Sequence, residues 1–199
     1  MTNKRLVFWL GVFTLFGFGG IGLLLIYWFI DSTFSILFTT DYSFSTQLTA
    51  GIVTGILSAV IALSIIRTKW VAKSASKYEV ILSRLDLSIP GILFISFCAG
   101  FGEELFFRGF AQHYLGIIIT SILFVAIHGY LNPKDVGISI YGLVMVLIII
   151  VFGCLFKEMG ILAPATAHFI FDVILLASIR FKSIKKSTFA EEIKDYEKN

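Results

Sequence analysis

Apolar runs long enough to cross a bilayer dominate this chain and leave it few ways to fold. A helix needs ~20 residues to span ~30 Å of hydrocarbon. The hydropathy pattern predicts six such spans. They are about Leu6–Ile30, Leu48–Ile66, a third from Pro90 through residues 103–108 toward His113, then Leu115–Leu131, Val136–Phe156 and Ile161–Phe181. Composition agrees: 57% of the 199 residues are hydrophobic and mean hydropathy is +0.92, where a soluble domain is about 45–50% apolar. The expected fold class is therefore all-α, a polytopic membrane helix bundle with both termini cytoplasmic. The first run follows Lys4 and Arg5 but is long for a signal-peptide core and lacks an Ala-x-Ala cleavage site, so it reads as a retained helix.

The basic residues set the orientation. Lys4 and Arg5 precede the first span, and the loop 31–47 carries Asp31 and Asp41 but no Lys or Arg. Arg67, Lys69, Lys73, Lys77 and Arg84 fill the next loop, Lys134 lies in the fourth-to-fifth turn, and six more follow from Arg180. With cytoplasmic termini, 14 of the 16 basic residues fall inside, the exceptions being Arg108 and Lys157. The net charge of +3 is accounted for by this topology and does not point to nucleic acid. Residues 1–84 read as two N-terminal spans and a basic loop, 85–181 as a four-span core, and 182–199 as a charged cytoplasmic tail, frayed or disordered. The stretch 67–89 is partly amphipathic and is expected on the inner membrane surface before Pro90. Gly51, Gly55 and Ala59 recur four apart, the spacing of close helix–helix contact. Cys98 and Cys154 read as small buried hydrophobes, making neither a disulfide framework nor a zinc site.

Three polar islands interrupt the apolar sequence. The first is Glu-Glu-Leu-Phe-Phe-Arg at 103–108, where each charge costs about 2.5–3.5 kcal/mol near a helix centre. Glu104 and Arg108 are four apart, acid first, which favours an intrahelical ion pair. Glu103 lies about 140° around an ideal helix from Arg108, at 3.6 residues per turn, so it is expected to be a buried carboxylate without a local partner. The second island is His128, one turn after Phe124. The third is His168 and Asp172, which share a helix face and are expected to point into the bundle. His113 and Asp135 fall at span ends, where polar residues are common. Together the islands suit water activation for hydrolysis or a proton or ion path. A zinc site of Glu103, His128 and His168 is chemically available, although no His-Glu-x-x-His helix is present. The chain shows no internal repeat of the kind many ion-coupled transporters carry.

Glu103-Glu104-x-x-x-Arg108, Phe124-x-x-x-His128 and His168-x-x-x-Asp172 resemble, in order and on separate helices, the three motifs of the CAAX-protease and bacteriocin-processing family (CPBP, or Abi) of intramembrane endopeptidases. The resemblance covers roughly residues 85–180. It implies that Glu103 activates water with His128 helping to hold it, that His168 and Asp172 stabilise an oxyanion, and that Glu104 and Arg108 brace the site, with Phe124 in support. An Asn at 172 could donate a hydrogen bond to an oxyanion; Asp does so only when protonated. The favoured mechanism needs no cofactor, with zinc as the alternative. The implied partners are membrane lipid and a peptide or membrane-anchored protein substrate in the cell membrane. Eukaryotic relatives trim prenylated CAAX proteins, and compact prokaryotic ones are associated with bacteriocin immunity or peptide maturation. A non-catalytic membrane scaffold that keeps the same fold is the competing reading.

Overall fold

Three spans begin where a small polar side chain satisfies a free N–H group of the first helical turn. The structure, a computed structural model, describes residues 4–196 apart from Arg84 and Asp86, with side chains as far as Lys182. Ser43 accepts a hydrogen bond from the Thr46 amide and opens a helix, Ser88 does so from the Gly91 amide with Pro90 in the first turn, and Asp135 caps a third helix through the Ile138 amide. The described residues form α1 (Lys4–Phe29), α2 (Phe44–Ile66), the shorter α3 (Lys69–Leu82), α4 (residues 89–115), α5 (residues 117–127), α6 (Val136–Met159) and α7 (Leu162–Tyr196). No β-strand occurs among the described residues. The molecule is a polytopic membrane helix bundle.

The third and fourth spans depart from expectation. Hydropathy separates them at 113–115, but they form one apolar helical segment, Ile89–Ile127, that turns back on itself at Gly116. Gly116 has φ +71° and ψ 173°, a conformation open to glycine and strained for other residues. After the turn α5 stops at Ile127, short of the predicted Leu131, so it descends only about 16 Å at 1.5 Å per residue. The short leg fixes the depth of the site. Glu103 lies 13 residues before Gly116 and His128 lies 12 after it, so both stand roughly 18–20 Å from the turn.

Among the described residues, five segments are long and apolar enough to cross a membrane, and the Gly116 turn makes six apolar legs of them. At the centre is α7, which packs most extensively on α2 and then on α4. The small-residue stripe of α2 makes that approach close, as its spacing predicts. A Cβ at Gly51 would stand 2.6 Å from the Ala163 carbonyl oxygen, and one at Gly55 would stand 2.5 Å from that of Ala167. Cys98 is buried as expected, whereas Cys154 is exposed on the outer face of α6. The α7 backbone stays helical to Tyr196. The tail's side chains beyond Lys182, and residues 197–199, lie outside the described residues.

The amphipathic stretch forms α3, which buries Val71, Ser74 and Ala75 and exposes Trp70, Val80 and Ile81, the pattern of a helix lying at a membrane interface. Its ties run to the polar ends of its neighbours. The Ser74 hydroxyl and Lys77 Nζ, the latter at 3.0 Å, donate to Asp135; Tyr78 donates to the Gly129 carbonyl; Lys182 pairs with Glu79. Hydrogen bonds from Ser74 and then Lys77 hold the Asp135 carboxyl down at about 2 against an ordinary 3.8. A depressed carboxyl stabilises the folded arrangement fully above its unfolded value and loses that contribution as pH falls toward the folded one. Amide exchange of α3, corrected for intrinsic rates, is therefore expected to rise between pH 4 and 2, and Asp135→Asn should abolish that dependence. Gly55→Val, which forces α2 from α7, is expected to cost about 1–3 kcal/mol, read as a lower Tm in detergent micelles.

Candidate active site

The charged hexad divides between two jobs. Arg108 and Glu104 are both fully buried, and Arg108 Nε donates to Glu104 Oε2 at 3.0 Å. The second guanidinium nitrogen, Nη1, donates to Gln112 Oε1 at 3.3 Å, and Gln112 Nε2 donates to the Gly153 carbonyl at 3.0 Å, tying α4 to α6. Residues Leu105–Ala111 are π-helical, a geometry frequent at functional sites. Its wider turn reduces the ideal 140° between Glu103 and Arg108, yet Arg108 remains committed to Glu104 and Gln112. No ion pair joins Arg108 to Glu103.

The other oxygen of Glu104 reaches α7. His168 Nδ1 donates to Glu104 Oε1 at 3.0 Å, since a carboxylate only accepts. Glu104 therefore joins Arg108 to His168, more than the bracing of its own helix expected from spacing. His168 Nε2 is left facing Asp172 Oδ2 at 3.8 Å, outside hydrogen-bond range. It is Glu104, and not Asp172, that orients His168.

Glu103 faces α5. Its Oε2 is buried without a hydrogen-bond partner and stands 3.6 Å from His128 Nε2. His128 Nδ1 donates to the Phe124 carbonyl at 2.6 Å, which a carbonyl acceptor requires. The Nε2 edge is thereby aimed at Glu103. Phe124 lies among these groups: its ring stacks on His128 at 4.6 Å, meets His168 edge-on at 5.7 Å, and carries the Arg108 guanidinium 5.8 Å from its centroid.

The four candidate residues thus meet on one wall of a cavity of about 380 Å³. Its other walls are apolar, with Leu63, Ile66, Leu82, Leu175 and Ile179 among them, and it reaches the end of the bundle where α3 and Ser178 lie. Two further polar groups that motif spacing does not reveal, Tyr130 and Tyr141, also line it. Gln112 was within reach of sequence reasoning, because 104, 108 and 112 form one series at four-residue spacing. His113 is exposed and away from the cavity, and Asp135 is engaged with α3, both as span-end residues. Glu103, His128 and His168 do not fit a zinc ion as they stand. Among the described residues no three His, Cys, Asp or Glu side chains converge as a ligand set, and His168 has one ring nitrogen on Glu104 and the other turned to Asp172.

Residues 85–174, which contain every one of these motif positions, match the family described as type II CAAX prenyl endopeptidase Rce1-like. This segment, less than half of the chain, is similar to the Rce1-like family, in agreement with the CPBP resemblance carried by the three motifs. The uncharacterized protein YpbD of Bacillus subtilis (strain 168) is 32% identical over 113 residues, covering 56% of this chain and 57% of that protein. The chain therefore spans little more than half the length of that curated relative. No solved structure matches the chain. The Rce1-like segment takes in α4, α5, α6 and the part of α7 that carries His168 and Asp172.

Burial makes the brace of this Rce1-like segment a matter of stability. Arg108→Leu strands Glu104 without its cation and is expected to cost about 3–5 kcal/mol. Glu103→Gln, which breaks no ion pair to Arg108, is expected to stay within about 1 kcal/mol of the parent. Thermal unfolding in one detergent should rank the two variants in that order.

Proposed function

We propose that the protein is an intramembrane endopeptidase in which Glu103 activates water to hydrolyse a peptide bond of a membrane-associated peptide or protein. The observation that carries this reading is the 3.6 Å approach of Glu103 Oε2 to His128 Nε2 at the cavity wall. That distance is too long for a direct hydrogen bond, and in this reading the reacting water binds between the two groups. Glu103 takes a proton from this water as its oxygen adds to the scissile carbonyl carbon. The carbonyl electron pair moves onto oxygen, and the resulting charge faces His168. When the C–N bond breaks, Glu103 returns the proton to the departing amine. The mechanism needs no metal. Removing one positioned general base typically costs 10²–10⁴-fold.

The apolar cavity walls support a substrate with a lipid or strongly apolar segment, and the family description favours a CAAX-type prenylated peptide. The cavity reaches α3 and the far end of α7, where Lys182 pairs with the lining residue Glu79, and α3 also carries Lys69, Lys73 and Lys77. Basic residues at that end support a cytoplasmic mouth. The proposed location is the cell membrane, with both termini inside.

Full-length protein in proteoliposomes, offered a fluorogenic peptide ending in S-farnesyl-Cys-x-x-x, is expected to cleave it. Glu103→Gln should lower kcat/KM by about 10³-fold or more, and His128→Ala by about 10²-fold. Cleavage should survive a metal chelator. Equal release by the parent and Glu103→Gln would defeat the reading.

A further inference from the structure

A tetrahedral intermediate needs hydrogen-bond donors already aimed at its oxygen, and the motif residues supply few. The site gathers three carboxyl groups, Glu103, Glu104 and Asp172, around one guanidinium and two imidazoles. As carboxylates, Glu103 and Asp172 accept hydrogen bonds and cannot donate them. The Nδ1 hydrogen of His128 is committed to Phe124 and that of His168 to Glu104. Two donors remain: the buried Arg108 Nη2, whose residue does not line the cavity, and His168 Nε2 when the imidazole is doubly protonated, with Asp172 3.8 Å away to compete for it.

The rest of the cavity wall offers hydroxyls. Tyr78 donates to the Gly129 carbonyl and Ser178 to the Leu175 carbonyl. Thr14, Tyr130 and Tyr141 also line the cavity, and none of their hydroxyls hydrogen-bonds a described residue. Of these, Tyr130 is the one built against the motif residues. It follows His128 by two positions, and its ring stacks on the imidazole at 6.1 Å and 21°, as Phe124 does at 4.6 Å and 22°. Tyr78 and Tyr141 flank the Tyr130 ring at 5.6 Å and 5.2 Å. The loop is itself fixed: Ser139 Oγ donates to the Asn132 carbonyl at 2.6 Å and accepts from the Asn132 amide at 3.0 Å. A phenol clamped on several sides, with its hydroxyl free, is a preorganised donor.

From this geometry we infer that Tyr130 is a further catalytic residue, whose hydroxyl donates a hydrogen bond to the oxyanion formed when water adds to the scissile carbonyl. The inference rests on the endopeptidase reading above. The phenol keeps its proton throughout. The carbonyl π pair moves onto oxygen, Glu103 carries the water proton, and the pair returns as the C–N bond breaks. In this chain Tyr130 supplies the donor that Asp172, as a carboxylate, does not.

The test uses full-length protein in proteoliposomes with the fluorogenic S-farnesyl-Cys-x-x-x peptide. Tyr130→Phe keeps the ring stack and removes only the hydroxyl. It is expected to lower kcat by about 10–100-fold, somewhat less than the loss of a sole oxyanion donor, with KM within about twofold and Tm unchanged. Asp172→Asn adds an amide N–H where the oxyanion is expected. In the Tyr130→Phe background it should recover about fivefold or more of the lost kcat. Full kcat in Tyr130→Phe, with Glu103→Gln inactive, overturns the Tyr130 role and leaves the endopeptidase standing. A Tyr130→Phe defect confined to KM, or matched by a fall in Tm, also overturns it. Parent protein no faster than Glu103→Gln overturns both.

Discussion

The bundle depends on one buried carboxylate. Glu104 accepts from Arg108 on its own helix with one oxygen and from His168 on α7 with the other, so a single side chain fixes the rotation of two helices. An ionised group so deep is tolerable only when paired and fully hydrogen-bonded, and Arg108 passes the constraint to α6 through Gln112 and Gly153. The glycine stripe of α2 does by shape what this network does by charge. It holds α7 from the other side, against Ala163 and Ala167, immediately before His168. His168 is therefore located by a polar clamp on one side and a steric one on the other.

With that frame rigid, the reactive-looking pair can remain loosely satisfied. Glu103 and His128 face each other without a direct bond, and each is positioned by something else: Glu103 by adjacency to Glu104, His128 by the Phe124 carbonyl and ring. Buried polar groups without partners are uncommon in folded proteins and call for an explanation. Glu103 Oε2 is one of them. Its setting matches the arrangement in which strain or unmet hydrogen bonding is retained at a functional site and offset by the surrounding structure.

Much of this was legible from sequence because its signals are local. Long apolar runs, the i, i+4 pair Glu104–Arg108, the shared face of His168 and Asp172, and the four-residue glycine spacing all follow from helix geometry. What stayed hidden depends on where helices end and meet. His128, Gly129, Asn132 and Pro133 follow Ile127 and signal a break, but sequence does not show that α5 stops at Ile127 rather than at Leu131 and so brings His128 level with Glu103. The bond from Glu104 to His168 joins residues 64 positions apart. Tyr130 lay in what looked like the end of a span, where an aromatic residue is unremarkable as an interfacial anchor. Cys154 shows the converse error: in a membrane bundle an apolar setting does not mean an inward-facing one.

The shortness of α5 has a consequence for solvent. A leg of about 16 Å crosses only half of a ~30 Å hydrocarbon layer, so the backbone leaves helical pairing at His128 while still at membrane depth. Irregular backbone is tolerated there only when it is packed in protein or borders water. Part of it is packed, with the Gly129 and Tyr130 amides folded back on Ala126 and Val125 and the Gly129 carbonyl bonded to Tyr78. His128 and Tyr130 line the cavity, and Asn132 and Asp135 are bonded to Ser139 and to α3. A single glycine at 116, by turning the chain early, thus places the end of α5 beside the cavity that Glu103 lines.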